Sequence, residues 1–406
     1  MLTKSFETVL QSDTFYDNPH AVFHRMREDA PVYWSDVWQA WVLTRYGDVQ
    51  AVLRDSENYS SAGRVRYLLE RLSDEERAQV GALERHYDIG LAHSDPPDHT
   101  RLRRLLTKVF TPKMVAQWQE RIESTVNALI DEVADAGEMD IIEQVAYPLP
   151  ATIIALMIGA PEDDIALFRD WAVAINALFE QGGHVSLASA KAAQDSLAEM
   201  RTYIDALSEK KRATPADDII SRLVAADDDE RLTPAELVST CVTLFVAGHE
   251  TTTNLFGNGM WALLTHPAQM ALLREHPEKI DKAIEEMLRF EPSVPRAWRI
   301  AKKDMTIDGQ TIKKGDMVFP MLSAANRDPS IFANPDVFDI ERTELKHVAF
   351  GYGIHFCLGA PLARLEGAVV INVLLARLPE MRLKDDAVVW GHDVAIRRLD
   401  RLPVIF

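Results

Sequence analysis

The sequence contains little cysteine and no long hydrophobic run. Only Cys241 and Cys357 occur among its 406 residues, which excludes a disulfide framework and predicts a reducing compartment. The most apolar stretches, residues 151–160 and 368–375, fall well short of the ~18 to 20 residues that cross a bilayer. The first residues also lack a secretory signal pattern. We therefore expect a cytoplasmic protein without a membrane span.

Basic residues are scarce relative to acidic ones. The chain has 44 Lys and Arg against 62 Asp and Glu, which gives a formal net charge of −18 at pH 7. Because such a field repels phosphate backbones, we expect no nucleic-acid partner. The 47% hydrophobic content is sufficient for a large globular core.

The spacing of apolar residues predicts a mainly α fold with small β-sheets. Residues 31–46 alternate like a hairpin, residues 98–290 have mostly helical spacing, and short strands with turn signals follow Pro292. Repeats and long Pro, Gly or Ser linkers are missing, so we expect a single domain over residues 1–406. Gly182 and Gly183, between helical stretches, predict a hinge.

One predicted helix is unusually long, from Pro234 to Leu264. Thr233 and Glu236 form a Thr-x-x-Glu capping box at its start. Its middle contains the polar block Ala-Gly-His-Glu-Thr-Thr at 247–252. A zinc site of the His-Glu-x-x-His type would need a histidine at position 253, which is Thr253. A plain polar helix face remains the alternative to a functional groove.

The second cysteine lies in a glycine-rich loop, Phe-Gly-Tyr-Gly-Ile-His-Phe-Cys-Leu-Gly, at 350–359. Pro361 marks the first turn of a helix directly after it. The positive end of that helix favours a thiolate at Cys357, the form that binds metals. A dinucleotide site is excluded because Phe356 replaces the third glycine of that fingerprint. A small buried hydrophobe in a glycine turn remains the alternative.

The loop at 350–359 resembles the haem-binding loop of the cytochrome P450 family, and the block at 247–252 is similar to the oxygen-activation motif of that family. The resemblance covers nearly the whole chain and implies the P450 fold, with haem b (iron protoporphyrin IX) between the long helix and the cysteine loop. It implies that Cys357 is the axial iron ligand. Thiolate ligation is the known haem chemistry of this family.

The same resemblance implies roles for further residues. It assigns Glu250 and Thr251 to catalysis, with Glu250 relaying protons and Thr251 assisting oxygen activation. Other haem contacts are implied for His99, Arg103, Arg299, Phe350, Gly351, His355 and Gly359. Glu286, Arg289 and Arg342 are implied as a structural trio, whereas periodicity alone places Glu286 and Arg289 on a polar surface face. The distal substrate pocket is implied for Thr243, Val246, Ala247, Val294, Pro295 and Ile396.

The implied activity is that of a bacterial-type monooxygenase. It would use O2 to hydroxylate a hydrophobic small molecule, with electrons from NAD(P)H through a ferredoxin or flavodoxin and its reductase. A local basic patch for that partner is predicted at Arg101, Arg104, Lys108, Lys113 and Arg364. Alternatives are a haem-binding sensor or scaffold without turnover, and an isomerase or coupling enzyme of the same fold.

Arginines near the implied pocket suggest an acidic substrate. Arg64, Arg66 and Arg296 lie in segments that would roof or adjoin it. One hypothesis is that one of them binds a substrate carboxylate, since a guanidinium makes bidentate contacts with such a group. The alternative for each arginine is a solvated side chain.

Overall fold

The computed structural model describes residues 3–179, 185–225, 231–384 and 388–406. The hinge predicted at Gly182 and Gly183 lies outside the described residues. The α-helices are, in chain order, α1 (Thr3–Val9), α2 (Asp13–Asp17), α3 (His20–Asp29), α4 (Tyr46–Arg54), α5 (Arg64–Leu69), α6 (Asp74–Gln79), α7 (Gly81–Asp88), α8 (Asp98–Val109), α9 (Pro112–Ala116), α10 (Gln119–Asp131), α11 (Pro148–Ile158), α12 (Ile165–Asn176), α13 (Leu187–Ala213), α14 (Ile219–Val224), α15 (Pro234–Thr265), α16 (Pro267–Glu275), α17 (Ile280–Phe290), α18 (Leu322–Ala325) and α19 (Ala360–Arg377). The strands are β1 (Val32–Ser35), β2 (Ala40–Leu43), β3 (Tyr59–Ser60), β4 (Glu138–Asp140), β5 (Arg299–Ala301), β6 (Met305–Ile307), β7 (Gln310–Ile312), β8 (Met317–Pro320), β9 (Arg382–Leu383), β10 (Val389–Trp390), β11 (Leu399–Arg401) and β12 (Pro403–Ile405).

These elements confirm the predicted mainly helical fold with small sheets. None of the helices in the described part of the chain is both long and apolar enough to span a bilayer. The predicted long helix is α15, and it ends one residue beyond the predicted end. Its capping box is formed as expected, because the Glu236 amide donates to Thr233 Oγ1 (3.2 Å) and the Thr233 amide donates to Glu236 Oε2 (2.8 Å).

The chain forms two compact units, and each is assembled from separate segments. The first unit contains Met1–Tyr59, Gln119–Tyr147 and Thr251–Phe406, and the second contains Ser60–Trp118 and Pro148–Glu250. The boundary between residues 250 and 251 falls inside α15. A single cut in the sequence therefore cannot separate the units, and the single domain over 1–406 stays a prediction.

A small sheet organises the amino-terminal part of the first unit. Its strand order is β1-β2-β8-β5, with β3 at the far edge. The predicted hairpin is confirmed, since β1 pairs antiparallel with β2, and β2 pairs in parallel with β8. Side chains of the sheet and of α4 share one apolar cluster that includes Leu43, Val49, Val52, Val318 and Phe332. This cluster fixes α4 on the sheet, because buried apolar surface is the main stabilising contribution in such a layer.

Three smaller sheets, β6-β7, β4-β12-β9 and β10-β11, also belong to the first unit. The predicted turn near Gly309 joins β6 and β7, and both Asp308 (φ 50°) and Gly309 (φ 75°) adopt the left-handed conformation of a tight hairpin. Strand β12 pairs with β9 and also with β4, which lies more than 250 residues earlier in the chain. Helices α10 and α17 both pack against α19. This packing holds the helix that follows the cysteine loop.

The second unit is helical. Helix α12 packs against α13, and their contact is aromatic, with Phe168 and Trp171 on one helix and Tyr203 on the other within 6 Å between ring centroids. Phe168 also contacts Phe245 of α15 at 5.0 Å. Helix α8 begins at Asp98, at the point where helical spacing starts in the sequence. Cys241 of α15 is fully buried in this unit.

Glu286, Arg289 and Arg342 form a buried charged cluster in the first unit. Arg289 donates to both carboxylate oxygens of Glu286 (2.7 and 2.8 Å), and Arg342 Nε donates to the same carboxylate at 3.1 Å. The side chains of Glu286 and Arg289 are 0% exposed. The surface position suggested by periodicity alone is therefore wrong. The two arginines also donate to backbone carbonyls of residues 326–337, so the cluster anchors this irregular segment on α17.

We expect Glu286→Gln to lower the free energy of unfolding by roughly 3–5 kcal/mol, because it leaves two buried guanidinium groups without their counter-charge. The matched control is Glu341→Gln, which removes the ion pair of Glu341 with Lys279 at an exposed position. That loss should be much smaller, because solvent screens an exposed ion pair. Urea unfolding of both variants measures the difference, and equal losses would contradict a special role of the buried cluster.

Candidate active site

Cys357 lies in a tight loop that backbone hydrogen bonds close. Its amide donates to the Phe350 carbonyl at 2.9 Å, and the Gly351 amide donates to the Val348 carbonyl at 2.8 Å. A single 3-10 turn at Gly353–His355 lies between them. Helix α19 starts three residues after the cysteine and has Pro361 in its first turn, as predicted. The thiol is therefore fixed in front of the positive end of a helix.

The two cysteines differ in their surroundings. Cys357 is partly exposed, whereas Cys241 is fully buried. Burial raises the pKa of the Cys241 thiol to about 12, so this thiol stays protonated and acts as a small core residue. Cys357 is thus the cysteine that can offer a thiolate to a metal.

A close approach between backbones fixes the position of the cysteine loop. Gly353 has a φ of 73°, and a Cβ atom on it would lie 2.8 Å from the carbonyl oxygen of Leu53 and 3.1 Å from the Cα atom of Arg54. The contacting atoms belong to the end of α4, which the apolar cluster of the sheet holds in place. Only glycine meets both requirements, the left-handed backbone and the absent side chain.

Aromatic and charged side chains surround the loop on the α17 side. Arg364 stacks over the Phe350 ring at 4.7 Å and donates to both oxygens of Glu285 (2.6 and 3.0 Å). His347 contacts the same carboxylate at 3.1 Å. Burial opposes ionisation of Glu285, yet its hydrogen bonds with His347 and Arg364 lower its pKa to about 2. This network ties α17 to the first turns of α19 and to Phe350.

Two residues of the predicted basic patch form ion pairs with glutamates. Arg364 is paired with Glu285, and Arg101 forms an ion pair with Glu236 inside the second unit. Arg104, Lys108 and Lys113 are exposed on α8 and α9 of the second unit.

One face of α15 is incompletely covered by the protein. Ala247 is exposed, and Thr243, Val246, Glu250 and Thr251 are partly exposed. These positions follow the i, i+3, i+4, i+7, i+8 spacing of a single helical stripe. Phe245, His249 and Thr252, which lie off this stripe, are buried. The stripe combines an apolar half with an acid and an alcohol one turn further on, and His249, the histidine of the rejected zinc motif, lies outside it.

The packing of α15 on α11 does not by itself require the glycine in this region. A Cβ atom at Gly248 would lie 3.4 Å from Cγ1 of Ile154, which is an ordinary van der Waals contact. The roughly 1 kcal/mol that glycine costs in a helix interior is therefore not explained by this contact.

The residues implied as haem contacts belong to both units. His99, which is 2% exposed, and Arg103 lie one turn apart on α8 in the second unit. Arg299 lies on β5 in the first unit, where its Nη1 donates to the Trp298 carbonyl at 2.7 Å, and His355 lies in the cysteine loop. Gly359 closes that loop, and a Cβ atom on it would meet Cys357 Sγ at 3.9 Å. The joint contact of these residues with one cofactor stays a prediction.

Part of the implied substrate wall comes together in the first unit. Val294 and Ile396 are partly exposed, while Pro295 is buried and accepts two hydrogen bonds from Ser323 (3.0 and 3.2 Å). The Arg397 amide donates to the Ser293 carbonyl at 2.8 Å. The segments that carry Val294 and Ile396 are therefore neighbours.

Sequence reasoning missed three carboxylic acids, of which Glu291 and Glu366 are buried and Glu285 is half-buried. Glu285 organises the side chains next to the loop, and Glu291 binds a histidine and two arginines behind the implied substrate wall. Glu366 on α19 is fully buried, and its burial raises its pKa well above the ordinary value. Glutamates on or after helices are ordinarily solvated, so their type gave no signal. Only the tertiary contacts distinguish them.

We expect Gly353→Ala to lower the thermal unfolding midpoint by several degrees and to reduce haem content. The substitution adds a backbone clash, typically about 1–3 kcal/mol, to the cost of a left-handed alanine. Gly351→Ala is the matched control, because Gly351 has a φ of 71° and its added Cβ would meet only His355 O at 3.8 Å. Similar losses in both variants would mean that the contact with α4 contributes nothing beyond backbone strain.

Comparison with known proteins agrees with this geometry. The Cytochrome P450 family model matches residues 6–379. The chain is 37% identical over 403 residues to the polyketide biosynthesis cytochrome P450 PksS of Bacillus subtilis (strain 168), covering 96% of each chain. It is 38% identical over 405 residues to the vitamin D(3) 25-hydroxylase of Pseudonocardia autotrophica, covering 97% of this chain and 95% of that protein.

A solved structure gives the same result for the fold. The structure of P450BioI in complex with an acyl carrier protein ligated to hexadec-9Z-enoic acid superimposes with a TM-score of 0.89 at 36% identity, covering 97% of this chain and 100% of that chain. The residues described above fit the haem of this family, since a partly exposed cysteine precedes a helix start and α15 carries an uncovered stripe. Because the family model spans most of the chain and each relative matches more than nine-tenths of it, this chain belongs to the cytochrome P450 family, whose members bind haem b and act as monooxygenases.

Proposed function

We propose that this P450 hydroxylates a hydrophobic small molecule at a haem held by Cys357. The observation that carries this proposal is the stripe on α15, where apolar Val246 and Ala247 are followed by Glu250 and Thr251. An apolar surface with a few polar groups is the usual lining of a small-molecule site. An acid next to an alcohol can hold and pass protons at its apolar edge.

Haem bound here supplies the activation of O2, and the side chains hold and surround it. Cys357 provides the thiolate ligand, and Phe350, Gly351 and Gly359 shape the loop around the sulfur. His99, Arg103, Arg299 and His355 hold the propionates, since basic side chains form charge-assisted hydrogen bonds with carboxylates. Thr243, Val246, Ala247, Val294, Pro295 and Ile396 contact the substrate.

The three arginines considered for an acidic substrate have different surroundings. Arg66 forms exposed ion pairs with Glu84 and Asp88, so its charge is already opposed at the surface. Arg64 stacks on Phe179 at 4.6 Å. Arg296 is 8% exposed, stacks on Phe319 at 3.9 Å and follows Pro295 of the proposed wall. Arg296 is therefore our candidate for a substrate carboxylate, because a charged group gains most from pairing where solvent is excluded.

A ligand titration tests the substrate class. We expect hydrophobic acids to change the haem absorption spectrum saturably. Arg296→Gln should weaken the binding of hexadecanoic acid about tenfold and leave the binding of its methyl ester unchanged, since a hydrogen bond to a charged group contributes roughly 1.5–3 kcal/mol. Arg66→Gln is the control and should change neither affinity. An acid affinity that survives Arg296→Gln would rule out this role. Terpenoids, steroids and macrolides complete the panel, because the relatives' names cover polyketide biosynthesis and vitamin D3.

The proton-relay proposal predicts a specific defect for Thr251→Ala. With a substrate from the titration, product formed per NAD(P)H consumed should fall about tenfold or more, because a positioned proton-transfer group contributes typically 10²-fold or more to a reaction. NAD(P)H consumption itself should continue, with hydrogen peroxide as the alternative product. Thr252→Ala is the control, since Thr252 is buried and lies off the stripe. Unchanged coupling in Thr251→Ala would exclude the assigned role.

We also propose a ferredoxin or flavodoxin as electron donor, reduced from NAD(P)H by a separate reductase in the cytoplasm. Three exposed cations of the predicted patch, Arg104, Lys108 and Lys113, support a local attraction for an acidic partner despite the net charge of −18. The ion pairs of Arg101 and Arg364 with glutamates weaken their contribution.

A further inference from the structure

A second buried charged cluster lies in the first unit, away from the cysteine loop. It consists of His20, Glu291, Arg327 and Arg397, all between 4% and 6% exposed, and is called here the Glu291 cluster. One oxygen of Glu291 contacts His20 Nε2 (2.8 Å) and Arg327 (3.3 Å), and the other accepts from Arg397 Nε at 3.2 Å. Both carboxylate oxygens are therefore bound.

The ionisation states make this cluster a charge-pairing site. Burial, followed by the charge of Arg327, lowers the pKa of His20 to about 4, so His20 is neutral at pH 7. Burial opposes the charge on Glu291, yet the contact with His20 and the charges of Arg397 and Arg327 hold the pKa of Glu291 well below its ordinary value. One buried carboxylate thus opposes two guanidinium groups, of which Arg327 also pairs with Asp336 at 3.1 Å. Removal of Glu291 leaves Arg397 without its carboxylate partner in the protein interior.

The cluster joins the two chain segments that carry the proposed substrate wall. Glu291 lies three residues before Val294, and Arg397 directly follows Ile396. The side chains of Glu291 and Arg397 pair with each other, and the Arg397 amide donates to the Ser293 carbonyl at 2.8 Å.

A third connection comes from α15. Asn258 Nδ2 donates to the Glu291 carbonyl (3.3 Å) and to the Arg397 carbonyl (2.9 Å), so one amide group bridges both segments. Asn258 is 1% exposed and lies seven residues, about two helical turns, after Thr251. The two wall segments are therefore fixed to each other and to the helix that carries the catalytic pair.

The Arg397 side chain is held on every side. Besides Glu291, it donates to the backbone carbonyls of Tyr16 and Asp17, and its guanidinium lies 3.5 Å from the centroid of the Trp390 ring. A planar guanidinium with this many fixed partners has few alternative positions. These contacts also restrict the position of the Arg397 backbone and therefore of the adjacent Ile396.

We propose that Arg397 is a positioning residue that sets ligand selectivity by fixing Ile396 against the Val294 and Pro295 segment through Glu291 and Asn258. The inference rests on the proposed function for the assignment of these three residues to the substrate wall. Arg397 itself does not contact the ligand in this proposal. It determines the distance between the segments that carry Val294 and Ile396. A shift of either segment by about 1 Å is enough to change how a bound molecule fits.

The structure offers a matched control for loss of a buried arginine. Arg342 is 6% exposed, as Arg397 is, and it also donates to a buried glutamate and to backbone carbonyls. The carbonyls that it binds belong to residues 333–337, a segment without any proposed wall residue. Arg342→Gln therefore reports the general cost of removing a buried arginine from this unit.

The test uses two haem ligands of different size on the haem-loaded full chain. Imidazole and 4-phenylimidazole both bind haem iron through a ring nitrogen, and only the phenyl group extends into the substrate cavity. The measured quantity is the ratio of their dissociation constants from absorption titrations, which does not depend on the fraction of protein loaded with haem. We expect Arg397→Gln to change this ratio by about fivefold, equivalent to roughly 1 kcal/mol, and Arg342→Gln to change it by less than about twofold.

Two further variants keep the outcomes distinct. Asn258→Ala removes both bridging hydrogen bonds without removing a charge and should change the ratio of dissociation constants in the same direction. It replaces Arg397→Gln in the test if that variant does not fold. Ile396→Ala tests the wall itself. A changed ratio in Ile396→Ala with an unchanged ratio in Arg397→Gln and Asn258→Ala overturns the positioning role and leaves the proposed function intact. An unchanged ratio in Ile396→Ala overturns the wall assignment and the inference with it.

Discussion

The contact between the cysteine loop and the end of α4 is the constraint on which the site depends. Gly353 brings the loop backbone against Leu53 O and Arg54 Cα, where no side chain fits. Helix α4 is in turn fixed by the apolar cluster it shares with the sheet. The loop therefore has a rigid support on one side and the start of α19 on the other. Cys357 is held between two fixed elements and keeps its direction, which is the preorganisation that its proposed role as a thiolate ligand requires.

Glutamates on and just after α17 extend this constraint from the loop to the rest of the first unit. Half-buried Glu285 and buried Glu286 on α17, and buried Glu291 just after it, each bind at least two basic side chains, and all of these except Arg289 come from other parts of the chain. The three acids connect α17 to different structures: the cysteine loop, the 326–342 segment and the proposed substrate wall. Because an unpaired buried charge is costly, each contact strongly favours one arrangement of its segment. Helix α17 and the residue just after it thus anchor several segments that have little regular secondary structure.

Local signals in the sequence were enough for the fold class and for the central elements of the site. The capping box of α15, the proline after Cys357 and the hairpin at 31–46 are all decided by residues close in sequence, and the structure has each of them. The pairing of β4 with β12 could not be predicted, because a three-residue strand has no distinctive pattern and its partner is far away in the chain. The same limit applies to charged side chains. Nothing local shows that Arg364 meets Glu285, or that Glu286 is fully buried.

The residues proposed for proton transfer and those proposed to shape the substrate wall lie on different kinds of structure. Glu250 and Thr251 lie on α15, where main-chain hydrogen bonds alone determine their spacing along the helix. Val294 and Ile396 lie on irregular segments, where position depends on side-chain contacts such as those of Glu291 and Arg397. Substitutions in the irregular segments can therefore move the wall while the helix stays intact. In the proposed assignment, selectivity therefore changes with the position of the irregular segments, without disturbing the residues that we propose to handle oxygen and protons.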